Sequence, residues 1–276
     1  MCEQYRFPEA TLGFENIFGR KGQTHAYGSS QPTKSVEMPF GYRESVEWVP
    51  RIGDIFPNFR ADSTHGSIDF HKWAEGRWVY FFSHPTIRSG VSATEVASIA
   101  NAAPFFRKRG VEVLGLCADS AAAHARWEAE IGRIFGLQID YPVIDDREAH
   151  LSQAFGAVHP KQGSAMAIRK SFIIDPALRV RMIFEYPLNV GRSVDEILRV
   201  IDALQLVDTH RVGIPADWEA GDSVVVPPYM DSDQALDLHG QVEELSPSLR
   251  LVPAPDPSGD HAEAPMPETL EGIYGR

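Results

Sequence analysis

Continuous apolar runs in the middle of the chain predict strands that are covered on both faces of a sheet. Trp78–Phe82 and Val111–Cys117 are two such runs. Ala167–Ile174 and Val180–Tyr186 follow later, separated by a turn signal at Asp175-Pro176. The second pair therefore predicts an antiparallel hairpin.

Between these runs, apolar residues recur at spacings of three and four, which is typical of helices with one buried face. The predicted helices are Ser92–Arg109, Ser120–Phe135 and Ser193–Leu206. Gly110 and Gly136 are the expected ends of the first two, and Ser193 with Glu196 predicts a capping box for the third. Strand–helix–strand–helix, then hairpin and helix, is the order of a thioredoxin-like α/β fold.

Composition excludes several classes of function. The 38 acidic residues outnumber the 26 basic ones, giving a net charge of -12. Such a chain lacks the cations that non-specific nucleic-acid binding needs. No apolar run approaches the roughly 18 residues that a membrane span requires, and the first residues have no signal-peptide pattern.

Cysteine and histidine usage gives no sign of a metal site or a disulfide framework. The chain has two cysteines and 10 histidines, and none stands at a known ligand spacing. We therefore expect no metal and no cofactor, and a reducing, cytoplasmic setting.

Several short segments occur in a fixed order along most of the chain. They are Ile52–Phe59, Phe82–Pro85, Tyr141–Asp146, Gly191–Arg192, Asp195–Val200 and Pro215–Val226. Together they resemble the one-cysteine peroxiredoxins, the peroxiredoxin 6-like branch of the AhpC/TSA family. The resemblance implies a peroxiredoxin-type thioredoxin fold with a small C-terminal domain. It also implies a homodimer, in which Arg211–Val226 reaches over the partner subunit.

The resemblance covers roughly Pro50 to Val226 and leaves both ends of the chain outside it. We predict four segments: an N-terminal arm (1–48), the thioredoxin-like domain (49–206), a C-terminal peroxiredoxin domain (207–252) and a tail (253–276). The tail is expected to be flexible because it is acidic and rich in proline.

The family reduces peroxides with a cysteine thiolate at the start of the first long helix. In this chain Ser92 stands at the position of that cysteine, and Ser89 stands where the family has threonine. The resemblance also assigns the active-site arginine to Arg169 and retains His84 and Glu95. Arg88 and Pro85, in the segment between His84 and Ser89, complete the candidate site as ligand-binding residues.

Serine cannot perform the family's reaction. A thiol with a pKa of about 8.5 can be made a thiolate by a nearby cation and a helix N-terminus, and its sulfur accepts oxygen reversibly. A serine hydroxyl stays protonated and has no comparable oxidised state. Cys117 lies in a predicted strand among apolar residues, where we expect a buried, inert thiol. Nothing places Cys2 in a pocket.

Each candidate also has a structural interpretation. Ser92-Ala-Thr-Glu95 matches a capping box, so Ser92 is either a helix cap or a hydrogen-bonding group in an adapted site. Arg169 is either an ion-pair partner of Glu95 or an anion clamp. His84 follows a buried strand, where a structural histidine is the commoner case, and Arg88 is a loop cation.

Three functions follow from these alternatives. The chain is an enzyme that acts on a small acidic metabolite in the former peroxide pocket, where Arg169 and Ser92 hold an oxyanion and His84 or Glu95 moves a proton. Alternatively, it is a non-catalytic binding or scaffold protein, a pseudoenzyme. In the third case it is a peroxidase in which the reactive cysteine was replaced on purpose; differences from the family at Thr86–Arg88, Gly90 and Ala93 favour natural divergence.

Overall fold

The computed structural model describes residues 49–158 and 166–255. Seven strands in this part of the chain form one mixed sheet. They are β1 (Arg60–Ser63), β2 (Gly66–Asp69), β3 (Trp78–His84), β4 (Val111–Cys117), β5 (Val143–Asp145), β6 (Arg169–Ile174) and β7 (Val180–Tyr186). The order is β2-β1-β5-β4-β3-β6-β7, with β3, β4 and β5 parallel to one another and β6 antiparallel to both neighbours. The predicted central strands and the hairpin are confirmed.

Six helices accompany this sheet in the described residues. They are α1 (Phe70–Ala74), α2 (Gly90–Asn101), α3 (Ala103–Lys108), α4 (Ala121–Phe135), α5 (His150–Ala154) and α6 (Val194–His210). The predicted limits of α4 are confirmed, with the Ser120 hydroxyl accepting from the Ala123 amide and Gly136 at a left-handed φ of 68°. Helix α6 starts where predicted and continues past Leu206. The Ser193 hydroxyl accepts from the Glu196 amide, while the Glu196 carboxylate binds Arg199.

The prediction of a single helix over Ser92–Arg109 is wrong. The segment forms α2 and α3, separated at Ala102. Pro104 is the physical reason, because its ring would clash with the carbonyl of the residue four positions earlier in a continuous helix. In the first turn of a new helix, its missing N–H has no cost.

The sheet is covered on both faces, which explains the uninterrupted apolar run of β3. Tyr80 and Phe82 pack with α2 and α6 on one face. Val79 and Phe81 pack on the other face with a group of phenylalanines that includes Phe56. Because both faces of β3 are buried, its carboxyl end is held in place, and this end carries Ser83 and His84.

A second, smaller sheet follows α6. It consists of β8 (Val224–Val225), β9 (Glu243–Ser246) and β10 (Leu249–Val252) in the order β8-β10-β9, with α7 (Ser232–His239) beside it. Its own apolar core includes Trp218, Val224 and Val252. This arrangement agrees with a small C-terminal domain, while the predicted segment limits remain predictions.

The N-terminal arm and nearly all of the tail lie outside the described residues. In the part that is described, no helix has the length and apolar character to cross a bilayer.

Candidate functional site

The candidate site is built around the first turn of α2. Ser89 is the N-cap, and its hydroxyl accepts a hydrogen bond of 3.3 Å from the Ser92 amide. The prediction that Ser92 caps this helix with Glu95 is therefore wrong. The N-cap is Ser89, three residues before Ser92, so Ser92 lies inside the first turn. The hydroxyl of Ser92 and the carboxylate of Glu95 bind Arg169 instead of capping the helix.

Strand β6 brings Arg169 to the start of α2. Its Nη1 donates to Ser92 Oγ at 3.3 Å and to Glu95 Oε2 at 2.6 Å. Its Nη2 donates to Ser89 Oγ at 3.1 Å, and both Nη2 and Nε donate to the Leu188 carbonyl. A guanidinium has five N–H groups, so all five have partners. The predicted contact between Arg169 and Glu95 is present.

A second arginine, which the sequence analysis missed, completes the network. Arg192 binds Glu95 through its amide (2.9 Å), Nε (2.8 Å) and Nη2 (2.9 Å), and its guanidinium lies over the ring of Phe82. The Gly191-Arg192 pair before α6 was the available signal. One carboxylate is thus shared by two buried cations.

Burial dominates the electrostatics of this network. Ser92 and Arg169 have no exposed surface, and Glu95 is 3% exposed. Burial lowers the pKa of Arg169, although the Glu95 carboxylate opposes that shift. An arginine pKa starts so high that both side chains remain cations at neutral pH.

The other predicted site residues divide into buried and exposed. His84 and Pro85 are buried at the end of β3, whereas Arg88 is exposed and Ser89 is partly exposed. The His84 Nε2 lies 2.8 Å from the Nε2 of His124, so its hydrogen bond goes outside the predicted set. Burial and the neighbouring His124 lower the pKa of His84 well below its usual value, which keeps the imidazole neutral.

Cys117 is buried as predicted, with 1% of its surface exposed. Burial raises the pKa of its thiol far above the ordinary value, and a protonated thiol is a poor nucleophile. Its Sγ lies 3.5 Å from a carboxylate oxygen of Asp119. Cys2 lies outside the described residues.

This arrangement stabilises negative charge on the side-chain atom of residue 92 but does not activate a hydroxyl there. The described contact of Ser92 Oγ is with a cation, whereas a serine nucleophile needs an adjacent base to take its proton. His84, which the sequence analysis offered as such a base, is hydrogen-bonded to His124. The geometry therefore fits an atom that is already anionic, which an oxygen of this type is not at neutral pH.

Comparison with known families gives two matches. The model described as the AhpC/TSA family matches residues 52–183, and the model described as the C-terminal domain of 1-Cys peroxiredoxin matches residues 203–238. The first match covers most of the seven-stranded sheet, and the second covers the end of α6, all of β8 and most of α7.

Similar curated proteins carry related names. The mitochondrial peroxiredoxin PRX1 of Saccharomyces cerevisiae is 38% identical over 76% of this chain and 84% of its own length. Peroxiredoxin-6 of Gallus gallus is 36% identical over 74% of this chain and 98% of its own length.

Solved structures give the same result. A yeast mitochondrial 1-Cys peroxiredoxin matches with a TM-score of 0.70 at 36% identity, covering 74% of this chain and 99% of that one. A Cys-to-Ser mutant of peroxiredoxin 6 from Arenicola marina matches with a TM-score of 0.71 at 36% identity, covering 74% and 98%.

Proposed function

Because the chain belongs to the AhpC/TSA family of peroxiredoxins and its relatives are of the one-cysteine type, we propose that it is a non-catalytic member of that family. In this proposal Ser92 replaces the reactive cysteine, and the chain binds partners or ligands without reducing peroxides. The peroxiredoxin-type thioredoxin-like fold with a C-terminal domain, predicted from the sequence, is confirmed.

One observation carries the proposal. The oxygen of Ser92 receives a 3.3 Å hydrogen bond from Arg169, in the first turn of α2. A sulfur at that position would be stabilised as a thiolate by the cation and the helix N-terminus. A hydroxyl has no thiolate to stabilise and cannot take up the peroxide oxygen as a sulfenic acid does. In this proposal the site keeps the cation and the helix N-terminus that would stabilise a thiolate, but it lacks the sulfur atom that reacts.

The same geometry supports a binding protein over an enzyme that transforms a small acid. All five donors of Arg169 are in use, and the side chains of Ser92 and His84 are fully buried. A carboxylate could reach Arg169 only by displacing one of its present partners. No base contacts Ser92 among the described residues, so proton transfer at this oxygen lacks an acceptor.

Hydrogen peroxide consumption with a thiol reductant tests the proposal. We expect no consumption by the native chain, by Ser92→Ala or by Cys117→Ala, because neither the oxygen nor the buried thiol supports turnover. Rapid consumption by the native chain after both thiols are blocked would overturn the proposal. Loss of native activity in Cys117→Ala would overturn it too, by moving the chemistry to that thiol.

The Ser92→Cys variant tests whether Arg169 and the N-terminus of α2 can still stabilise a thiolate at position 92. We expect its thiol to be alkylated quickly at neutral pH, because Arg169 lowers the pKa of a neighbouring thiol, and we expect peroxide consumption slower than that of one-cysteine relatives. Ser92→Cys with Arg169→Gln is the matched control and should lose the fast alkylation. Activity equal to the relatives' would instead favour a peroxidase in which serine was introduced on purpose, as in the Arenicola marina mutant.

A second candidate function rests on the exposed rim of the site. Arg88 is exposed and Ser89 is partly exposed at the start of α2, a 12-residue helix whose first amides favour an anion. Binding of a small carboxylate there is what the acid-metabolite enzyme of the sequence analysis requires first. Thermal shifts with a panel of small carboxylates test this, since a ligand that binds the folded state raises its stability. A shift lost in Arg88→Ala but kept in Arg51→Ala would locate the binding at this rim, and chemical conversion of the bound acid would then favour this candidate over the first.

We further propose that the chain is a homodimer in the cytoplasm. The family resemblance of residues 211–226 supports the dimer. Cys117 is buried and forms no disulfide, which agrees with a reducing compartment. Light scattering that gives a mass near the 30.7 kDa of one chain would contradict the dimer.

A further inference from the structure

Two adjacent parallel strands and the helix that follows them bring three metal-binding side chains together. His84 and Cys117 are register partners at the carboxyl ends of β3 and β4. Helix α4 starts just after β4 and places His124 in its first turn. One ligand atom from each residue lies within 4.8 Å of the others, and all three side chains are buried.

We propose that His84, Cys117 and His124 bind a divalent cation of the zinc class. This site is separate from the Ser92 network and does not depend on the function proposed for it. The sequence predicted no metal because the three residues come from different elements and match no known ligand spacing. The register of two strands makes them neighbours.

The donor set fits that class of cation. Two imidazole nitrogens and one thiolate are borderline-to-soft donors, which suit Zn²⁺ and not Mg²⁺ or Ca²⁺. With metal–nitrogen bonds of about 2.0 Å and a metal–sulfur bond of about 2.3 Å, tetrahedral ligand atoms lie about 3.3 to 3.6 Å apart. The two Nε2 atoms are 2.8 Å apart, which is closer than that spacing. The ligand atoms of the trio all lie within 4.8 Å of one another, and this limit is wider than that spacing.

A carboxylate stands behind one of the histidines. Glu128 Oε1 lies 3.2 Å from the Nδ1 of His124, the ring nitrogen opposite the one that faces His84. The two atoms are close but do not form a hydrogen bond in this structure. A carboxylate on this side of the ring is nevertheless the group that commonly orients a metal-binding histidine and leaves its Nε2 free to coordinate. The ring of Trp127 packs against both imidazoles and shields the trio from water.

A hydrogen bond between the two histidines is the alternative to a metal. In that arrangement one proton lies between the two Nε2 atoms, and the Cys117 thiol donates to a carboxylate oxygen of Asp119 at 3.5 Å. Nδ1 of His84 is buried without a hydrogen-bond partner in either arrangement, so the metal content of the protein decides between them.

Metal content tests the proposal. The full chain is produced with Zn²⁺ in the medium, and a second sample is refolded with Zn²⁺ because the trio is buried. We expect stoichiometric zinc by mass spectrometry in both samples. Zinc should be lost in Cys117→Ser and His124→Ala but retained in two matched controls, Cys2→Ser and the exposed His65→Ala. Circular dichroism checks that each variant is folded.

Co²⁺ gives a spectroscopic readout that folding defects alone would not mimic. Bound by the trio, it should show a thiolate-to-metal charge-transfer band that disappears in Cys117→Ser. Glu128→Gln keeps all three ligands, so it should retain the band and bind about 10- to 100-fold more weakly. Zinc at no more than the background level in both native samples would overturn the proposal. So would a zinc content and a Co²⁺ spectrum that Cys117→Ser leaves unchanged.

Discussion

Replacing Glu95 with glutamine should destabilise the fold strongly, although the change is nearly isosteric. Glu95 Oε1 accepts from the amide and Nε of Arg192, and Oε2 accepts from Arg169 Nη1 and Arg192 Nη2. In glutamine, one of these oxygens becomes an NH₂ group. Whichever way the amide turns, it then presents donors to two further donors.

The magnitude follows from the burial of all three side chains. The side chain of Glu95 is 3% exposed, and those of Arg169 and Arg192 are 0% and 2% exposed. Removing one partner of a buried ion pair costs about 3–5 kcal/mol, because the remaining charge is left without compensation. Here two guanidinium groups lose their shared carboxylate, so we expect the upper part of that range. For a fold of this size, this loss lowers Tm by roughly 10 °C or more.

Urea unfolding at neutral pH, followed by circular dichroism, measures this difference in the free energy of unfolding. Glu196→Gln is the matched control, because Glu196 also binds an arginine, Arg199, but both side chains are about a third exposed. An exposed pair of this kind contributes less than about 1 kcal/mol. A loss in Glu95→Gln no greater than that in Glu196→Gln would refute the argument that this network is a buried, charge-compensated unit.

Two further predictions concern packing and pH. A Cβ at Gly115 would lie 2.8 Å from a methyl carbon of Val143, so Gly115→Ala should cost about 1–3 kcal/mol in urea unfolding; Gly90→Ala, where a Cβ meets nothing within 4 Å, should be neutral or slightly stabilising. Burial raises the pKa values of Tyr80 and Tyr141 above 10. Above that pH the unfolded chain therefore loses protons that the folded chain retains, and stability is lost as pH rises, by up to about 1.4 kcal/mol per pH unit for each tyrosine. Tyr141→Phe should reduce this slope, and an unchanged slope in urea titrations at pH 9 to 11 would contradict the assignment.

How far the fold could be predicted depended on the strength of each local signal. Strands β3 and β4 are apolar throughout because both faces are buried, and α4 carries a serine cap and a glycine end, so all three were predictable. The hairpin of β1 and β2 has one apolar cross-strand pair, Ala61 with Ile68, among mostly polar residues, so it has no such pattern. The five-residue helices α1 and α5 are too short to show a helical period.

The site was predictable only as far as the family resemblance reached. It placed Arg169 and Glu95 together, but it missed Arg192, in the segment before α6, and His124, in the first turn of α4. Register also matters: the pairing of His84 with Cys117 follows from how two strands align, and a shift of one residue would turn each side chain to the opposite face. No pattern within either strand records that alignment.

The ion network by itself is not evidence of peroxidase chemistry. Once Glu95 is buried between Arg169 and Arg192, losing any one of the three leaves uncompensated charge in the interior. Stability therefore disfavours such a loss, whether or not the site is catalytic. The atom at position 92 is under no such constraint, because a serine there still accepts the hydrogen bond from Arg169. A chain can thus lose the reacting sulfur at little structural cost while every group that supported it stays in place.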